Sequence, residues 1–418
     1  MRLFIIHHHL LRGGVTGIIE AQITALHRVA PDLKLTVAVG NCEGKNFPGA
    51  EMLSVPALDY LTGEPEPAYA AIKQFLTSLP GDAIIHVHNP TLGKNPALTL
   101  ALYEEASCVR PVFYHCHDFA EDRPENYHFL EEIIHRRQGH ELKTVLYPDF
   151  PRCRFGVINR HDKRRLESYG IHSDRIDYLP NPAPEIIPAS SEEGLTIRRK
   201  LQVAEPCQLW LYPVRAIRRK NLGEFLFLVT LFSDRVVGAI TLPPNNPDDF
   251  AEYELWQQLA AELRLPIHFA VGNDHSLAAL MAAADRCLTT SRREGFGMTF
   301  IEPWQYGKPV SGRMIAELME DFQAINLDLS QCYDRLKLPN EDRDFGELSI
   351  TEQQRQIRLI LVSNVERTRI INLNPLLSDW LKPCPEAVIT ANATAIVTNL
   401  SLSEYGRKLN AAYQRLIG

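Results

Sequence analysis

Residues Leu179–Gly194 read LPNPAPEIIPASSEEG. Four prolines and a Ser-Ser-Glu-Glu run suit neither a continuing strand nor a helix interior, so the stretch is expected to be an interdomain linker. On its N-terminal side, short β-branched or aromatic runs read as strands: Leu3–Ile6, Leu35–Val39, Ala83–Val87, Val112–Cys116, Phe155–Ile158 and Ile176–Leu179. Between them lie amphipathic stretches at helical spacing: Ile18–Val29, Ala68–Leu79, Pro96–Ala106, Tyr127–His140 and Lys163–Tyr169. On the C-terminal side the plan repeats. Leu209–Val214, Val236–Leu242, Ile267–Val271 and Cys287–Thr290 read as strands, with one more at Lys308-Pro309-Val310; Leu222–Leu231, Phe250–Leu263, Leu277–Ala284 and Thr299–Tyr306 read as helices. Such alternation implies parallel sheets covered by helices on both faces, here two doubly wound, Rossmann-like α/β domains. Ligands of such sheets bind outside the carboxyl ends of the strands, so two facing domains are expected to enclose a central cleft. After Gly312 the pattern weakens: Asp321–Ser349 is expected to be loop-rich, and Ser401–Leu416 closes the chain as an amphipathic helix.

The 418 residues are 45% hydrophobic and 23% charged, enough for about two or three domains with full cores. A formal charge of −7 with no basic block argues against nucleic-acid binding. The longest apolar runs, Leu3–Ile6 and Phe225–Phe232, are too short to span a bilayer, and because Met1-Arg2 leads straight into a strand-like run, without the apolar stretch and cleavage site typical of a secretory signal, none is expected. Eight scattered cysteines without a C-x-x-C pair, Cys108 among them, read as reduced thiols of a cytoplasmic protein.

The most informative chemistry lies in Ser291–Val310, SRREGFGMTFIEPWQYGKPV. A strand ends near Thr290, a glycine-rich turn follows, and a helix is expected from about Met298, whose free first-turn N–H groups favour an anion. Glu302, in the first turns of that helix, suits two adjacent hydroxyls such as a ribose presents; Glu294 stands at the mouth, within reach of a sugar ring. A second segment, LYPVRAIRRKNLGE at Leu211–Glu224, places Arg215 at a strand end and Lys220 at a helix start, a cationic pair suited to a diphosphate leaving group. In the first half, Gly13-Gly14-Val15-Thr16-Gly17 follows the first strand, with Thr16 a candidate N-cap. His117 ends another strand, and Asp118 is placed to orient it or to bind an acceptor hydroxyl. His7-His8-His9, His86/His88 and His115/His117 all fall at parallel strand ends, where imidazoles either line a polar cleft or gather around a metal; no fixed metal-ligand spacing is present, and no metal is expected.

The string E-G-F-G-x-x-x-x-E followed by G-K-P-V resembles the E-x7-E region of family-4-type retaining glycosyltransferases, which have the GT-B fold. The resemblance implies that Glu302 binds the donor ribose, Glu294 the transferred sugar, and the amides of Phe296, Gly297, Met298 and Thr299 the sugar and phosphates. The R-x4-K pair Arg215/Lys220 would stabilise the departing diphosphate, Gly14 would approach the donor phosphates, Thr16 and Asp118 would lie on the acceptor side, and His117 would contact the sugar near the reacting carbon. Val214 stands where the family usually has Gly, Asn221 replaces a frequent Gly, and GRMIAELMED at Gly312–Asp321 departs from the family's G-G-x-x-E continuation. Residue ranges 1–185, 186–396 and 397–418 are then an acceptor-side domain, a nucleotide-sugar domain, and a C-terminal helix returning to the first domain. The implied activity is transfer of a sugar from a UDP- or GDP-sugar to a small-molecule or saccharide acceptor, with no cofactor. A GT-B-like phosphorylase or epimerase, or a non-catalytic sugar-nucleotide-binding protein, are the alternatives.

Overall fold

A computed structural model describes residues 1–11, 13–106, 109–136 and 140–418. Cys108 and part of the expected helix Tyr127–His140 therefore lie outside the described residues. The chain divides into two compact units, Met1–Pro184 with Leu400–Gly418, and Glu185–Asn399.

The first unit carries seven parallel strands: β1 (Arg2–His9), β2 (Lys34–Asn41), β3 (Ala50–Ser54), β4 (Ala83–His88), β5 (Val112–Cys116), β6 (Cys153–Val157) and β7 (Ile176–Tyr178), in the order β3-β2-β1-β4-β5-β6-β7. The order reverses between β1 and β4, which opens a crevice at their carboxyl ends. Every residue of β4 and β5 is buried, as a sheet covered on both faces requires. Alternation sorts the side chains by face. Ile6, Ile85, Val87 and Tyr114 enter one core; Leu3, Ile5, Ile84 and Phe113 enter the other, beneath helix α1 (Gly14–Val29) and the C-terminal helix Leu402–Ile417. Those two helices approach closely at Gly406, where a Cβ would meet the Ala25 carbonyl oxygen at 2.6 Å.

The second unit carries six parallel strands: β8 (Gln208–Arg215), β9 (Val236–Leu242), β10 (Ile267–His268), β11 (Arg286–Thr289), β12 (Val310–Arg313) and β13 (Cys332–Tyr333), in the order β10-β9-β8-β11-β12-β13. Its switch point lies between β8 and β11. The helix Leu222–Leu231 is apolar on nearly all sides and wholly buried, the pattern of a central core helix. Its one charged residue, Glu224, is satisfied by Arg313, whose Nε and Nη2 donate to the carboxylate at 2.9 and 2.7 Å. Arg313 also pairs with Asp344, and the Tyr333 hydroxyl donates to Glu224 at 2.6 Å.

Several expectations need correction. Ser190 and Glu193 form a capping box that starts the helix Ser191–Lys200, so the Ser-Ser-Glu-Glu run opens a helix and is not linker. Thr16 is not the N-cap of α1; Gly13 holds that position, and the Thr16 hydroxyl donates to the Leu11 carbonyl at 2.7 Å. The helix expected at Thr299–Tyr306 is a 3-10 turn (Met298–Phe300) followed by one short helix (Glu302–Gln305), because Pro303 fits only a first helical turn. The loop-rich stretch Asp321–Ser349 contains the end of a helix (Ala316–Ala324) and β13. Edge strand β3 escaped notice because AEMLS lacks β-branched residues. Among the described residues no helix is long and apolar enough to cross a membrane, and none of the described cysteines is in a disulfide.

Replacing Arg313 by Ala strands two buried carboxylates. Urea unfolding is expected to show a loss of about 3–5 kcal/mol; an unchanged midpoint would mean the network contributes nothing.

Candidate active site

In the second unit, β8 ends at Arg215, whose Nη1 donates to the Pro243 carbonyl at 3.0 Å. A 3-10 turn, Arg218–Lys220, follows, and Asn221 takes a left-handed conformation (φ 51°) before the buried helix begins. Asn tolerates that conformation better than other non-glycine residues, which explains how it replaces a glycine there. Its side chain donates to Glu224 at 2.8 Å, tying the turn to the Arg313 network. The Lys220 carbonyl accepts from the Tyr212 hydroxyl (2.8 Å) and the Thr290 hydroxyl (3.1 Å), so the turn is locked to β8 and to the end of β11.

This scaffold sets Lys220 against Glu294. The two side chains are 10% and 7% exposed and form a close ion pair; Arg219 Nη1 adds a second contact to Glu294 at 2.7 Å. Burial lowers the Lys220 ammonium below its ordinary range and Glu294 opposes that shift. Burial pushes the Glu294 carboxyl up, but Lys220 and Arg219 outweigh it and hold it below the usual range. Expected separately as a phosphate contact and a sugar contact, Lys220 and Glu294 touch one another here.

Beyond Glu294, Gly297 has φ 82°, and a Cβ there would meet Leu318 at 2.8 Å and Phe300 at 3.1 Å; only glycine fits both the conformation and the space. Phe296 and Thr299 are buried, Met298 partly so. The Thr299 hydroxyl is buried with no partner among the described residues, a polar group left for a ligand. Glu302 starts the short helix, and burial raises its carboxyl above the ordinary value.

In the first unit, the face beneath α1 carries imidazoles from three strands. His88 Nε2 donates to Gln22 Oε1 (2.7 Å), since an amide oxygen only accepts. His88 Nδ1 is then bare and accepts from His117 Nε2 at 2.9 Å. Gln22 Nε2 donates to the Tyr413 hydroxyl (2.8 Å), which donates to His86 Nδ1 (2.7 Å), and His86 Nε2 donates to His115 Nδ1 (3.2 Å). His117 thus keeps Nδ1 as an acceptor, and its orientation comes from His88. Asp118 does not orient it: that carboxylate is held by Arg123 at 2.8 Å and Asn89 at 3.2 Å. His86, His88 and His115 bring ligand atoms within 4.8 Å of one another, yet all their ring nitrogens except His115 Nε2 are already engaged. Burial depresses these imidazoles, His8 and His117 to about 4.

A cavity of about 190 Å³ opens at the carboxyl ends of β1, β4 and β5, and its wall includes Gly14, Thr16 and Asp118. Sequence reasoning missed Arg219, and Gln22 and Tyr413, which sit in unremarkable amphipathic helices. The i, i+2 spacing of the histidines was the available signal for the network.

No protein-family model matches the chain. It is 26% identical over 393 residues to the mannosylglucosyl-3-phosphoglycerate synthase of Petrotoga mobilis, covering 88% of this chain and 75% of that protein. Its fold is similar to Anabaena HepE in complex with UDP-glucose (TM-score 0.63, 16% identity, 99% of each chain). It is also similar to a glycosyltransferase from Rickettsia africae (TM-score 0.65, 15% identity, 100% and 98% of the two chains). A third likeness is to the sucrose-phosphate synthase of Thermosynechococcus elongatus (TM-score 0.64, 13% identity, 100% and 99%).

The neutral imidazoles carry a pH signature. Their folded pKa lies below the unfolded value of about 6.5, so the unfolded chain binds the extra protons, and stability is full above pH 6.5 and lost as pH falls toward 4. At pH 5, His8 and His117 are each expected to remove about 2 kcal/mol by this linkage. Thermal melts between pH 7 and 4.5 check this; a flat profile would mean the imidazoles are not held neutral. Two parallel-sheet Rossmann-like units, a returning C-terminal helix and these likenesses give the chain the GT-B fold.

Proposed function

We propose that this chain transfers a sugar from a nucleotide-diphosphate sugar to an acceptor hydroxyl with retention of anomeric configuration, in the manner of the family-4-type enzymes its E-x7-E segment resembles. The observation that carries the reading is the buried Lys220–Glu294 pair, joined by the exposed Arg219, at the switch point of the second unit. A buried ammonium needs a negative partner, and a diphosphate supplies more charge than one carboxylate. Lys220 and Arg215 take the phosphates and stabilise the charge that grows as the glycosidic bond breaks. Glu302 accepts from the two ribose hydroxyls, and its burial gives those hydrogen bonds a low-dielectric setting. The Phe296–Thr299 backbone and the unpartnered Thr299 hydroxyl contact sugar and phosphate. Once Lys220 turns to the phosphates, Glu294 is left to position the transferred sugar.

From the first unit, the resemblance assigns Gly14 to the donor phosphates. His117 accepts from a sugar hydroxyl through Nδ1, the nitrogen its bond to His88 leaves open. Thr16 and Asp118 lie on the acceptor side. UDP is favoured as the nucleotide because HepE is seen with UDP-glucose, with GDP the alternative. The acceptor is a small molecule or a saccharide, and the reaction takes place in the cytoplasm.

The test is thermal shift with UDP and GDP. At about 100 times Kd a bound nucleotide adds about 2.7 kcal/mol, and Lys220→Ala and Glu302→Ala are each expected to abolish the shift. An unaltered shift in both variants would remove these residues from the site. Once an acceptor is in hand, proton NMR of the first-formed product reads the stereochemistry: retention is expected, and inversion would overturn the mechanism.

A further inference from the structure

The cavity of the first unit is more positive than the rest of this acidic chain. Helix α1 spans 16 residues, has no side-chain cap at Gly13 and no acidic residue in its first turn, so its positive end is unneutralised where that turn lines the cavity. Lys94 lines the same cavity. Its ammonium has no carboxylate partner among the described residues and only stands 5.8 Å from the Tyr60 ring centroid. The nearby acid, Asp118, is already matched by Arg123. Lys94 and the α1 terminus are thus left uncompensated.

A second observation concerns His7, a cavity-lining residue only 4% exposed. Its Nδ1 donates to the His88 carbonyl at 3.3 Å, which leaves Nε2 bare and without a protein partner among the described residues. Burial keeps the ring neutral at ordinary pH, so it presents a hydrogen-bond acceptor in the cavity wall. An acceptor nitrogen and a carboxylate in one wall together with uncompensated positive charge suit a ligand with both hydroxyls and an acid group.

We propose that this cavity binds the sugar acceptor as a hydroxylated acid, a phosphate monoester or carboxylate. Its anionic group sits against Lys94 and the α1 turn at Val15 and Thr16, leaving Gly14 to the donor phosphates, and a hydroxyl donates to His7 Nε2 or Asp118. The inference rests on the glycosyltransferase reading above. It adds the chemical class of the acceptor, and assigns Lys94 as the residue that selects it.

The test is calorimetric titration of glycerol 3-phosphate, glycerate and glycerol into the full chain saturated with UDP. Either acid is expected to bind and glycerol not to, with the stronger acid telling phosphate from carboxylate. Lys94→Ala and Lys94→Gln are expected to weaken that binding about tenfold or more, Lys94→Arg to preserve most of it, as loss of a charge-assisted hydrogen bond predicts. UDP binding, measured first on each variant, is expected to be unchanged. It reports folding, and its failure in the parent chain would sink the donor reading instead. Three results would overturn the proposal: equal affinity for acid and glycerol, no effect of Lys94 substitution, or abolition of acid binding by UDP, which would give the cavity to the donor phosphates.

Discussion

A buried ammonium facing a buried carboxylate is the constraint around which the second unit is organised. Lys220 can be held away from water only because Glu294 and the surrounding turn meet it. That turn is itself over-determined: Tyr212 and Thr290 grip the Lys220 carbonyl, and Asn221 is anchored to Glu224. Glu224 in turn depends on Arg313 and, through it, on Asp344. The ion pair at the switch point is thus continuous with the polar network inside the domain core. A site prepared this way can exchange one negative partner for another without moving its backbone, which is what preorganised electrostatic stabilisation requires.

The first unit solves a different problem. Histidines occupy positions on the sheet face where aliphatic side chains would otherwise sit, and burial forbids them charge. Neutral imidazoles are tolerable there because both ring nitrogens of His86 and His88, and one of His115, find a partner of the right sense. Gln22 and Tyr413 terminate the chains and fix which nitrogen carries each proton. Tyr413 comes from the last helix of the chain, so the returning C-terminal segment completes the polar layer as well as the apolar core. The account makes His117 and His7 acceptors, because His88 claims a proton of each, one through a ring nitrogen and one through its backbone carbonyl.

Much of this was legible in the residues. Strand runs such as Val112–Cys116 and Val236–Leu242 read directly from β-branched and aromatic composition, and the observed strands have the same bounds. Lys220 and Glu294 stood out by spacing, but 74 residues of sequence separate them, and no local pattern reports that two charges meet across neighbouring strands. The helix after Glu294 was overread because apolar spacing at Met298–Tyr306 outweighed the proline at 303, which permits a helix only from its own first turn. Thr16 was misassigned as a cap because a Gly-Gly pair leaves the helix start undefined until the backbone is seen. Lys94 escaped notice entirely, since a lone lysine between glycine and asparagine has no sequence signature.

The central claim is that the Lys220 turn and the segment from Glu294 to Glu302 form a diphosphate and ribose site. A crystal structure of the chain with UDP addresses it most directly. The account predicts phosphate oxygens within hydrogen-bond distance of Lys220 Nζ and the Arg215 guanidinium, with both ribose hydroxyls on the Glu302 carboxylate. Nucleotide bound elsewhere, or bound with Lys220 still closed on Glu294 and out of reach of phosphate, would contradict it.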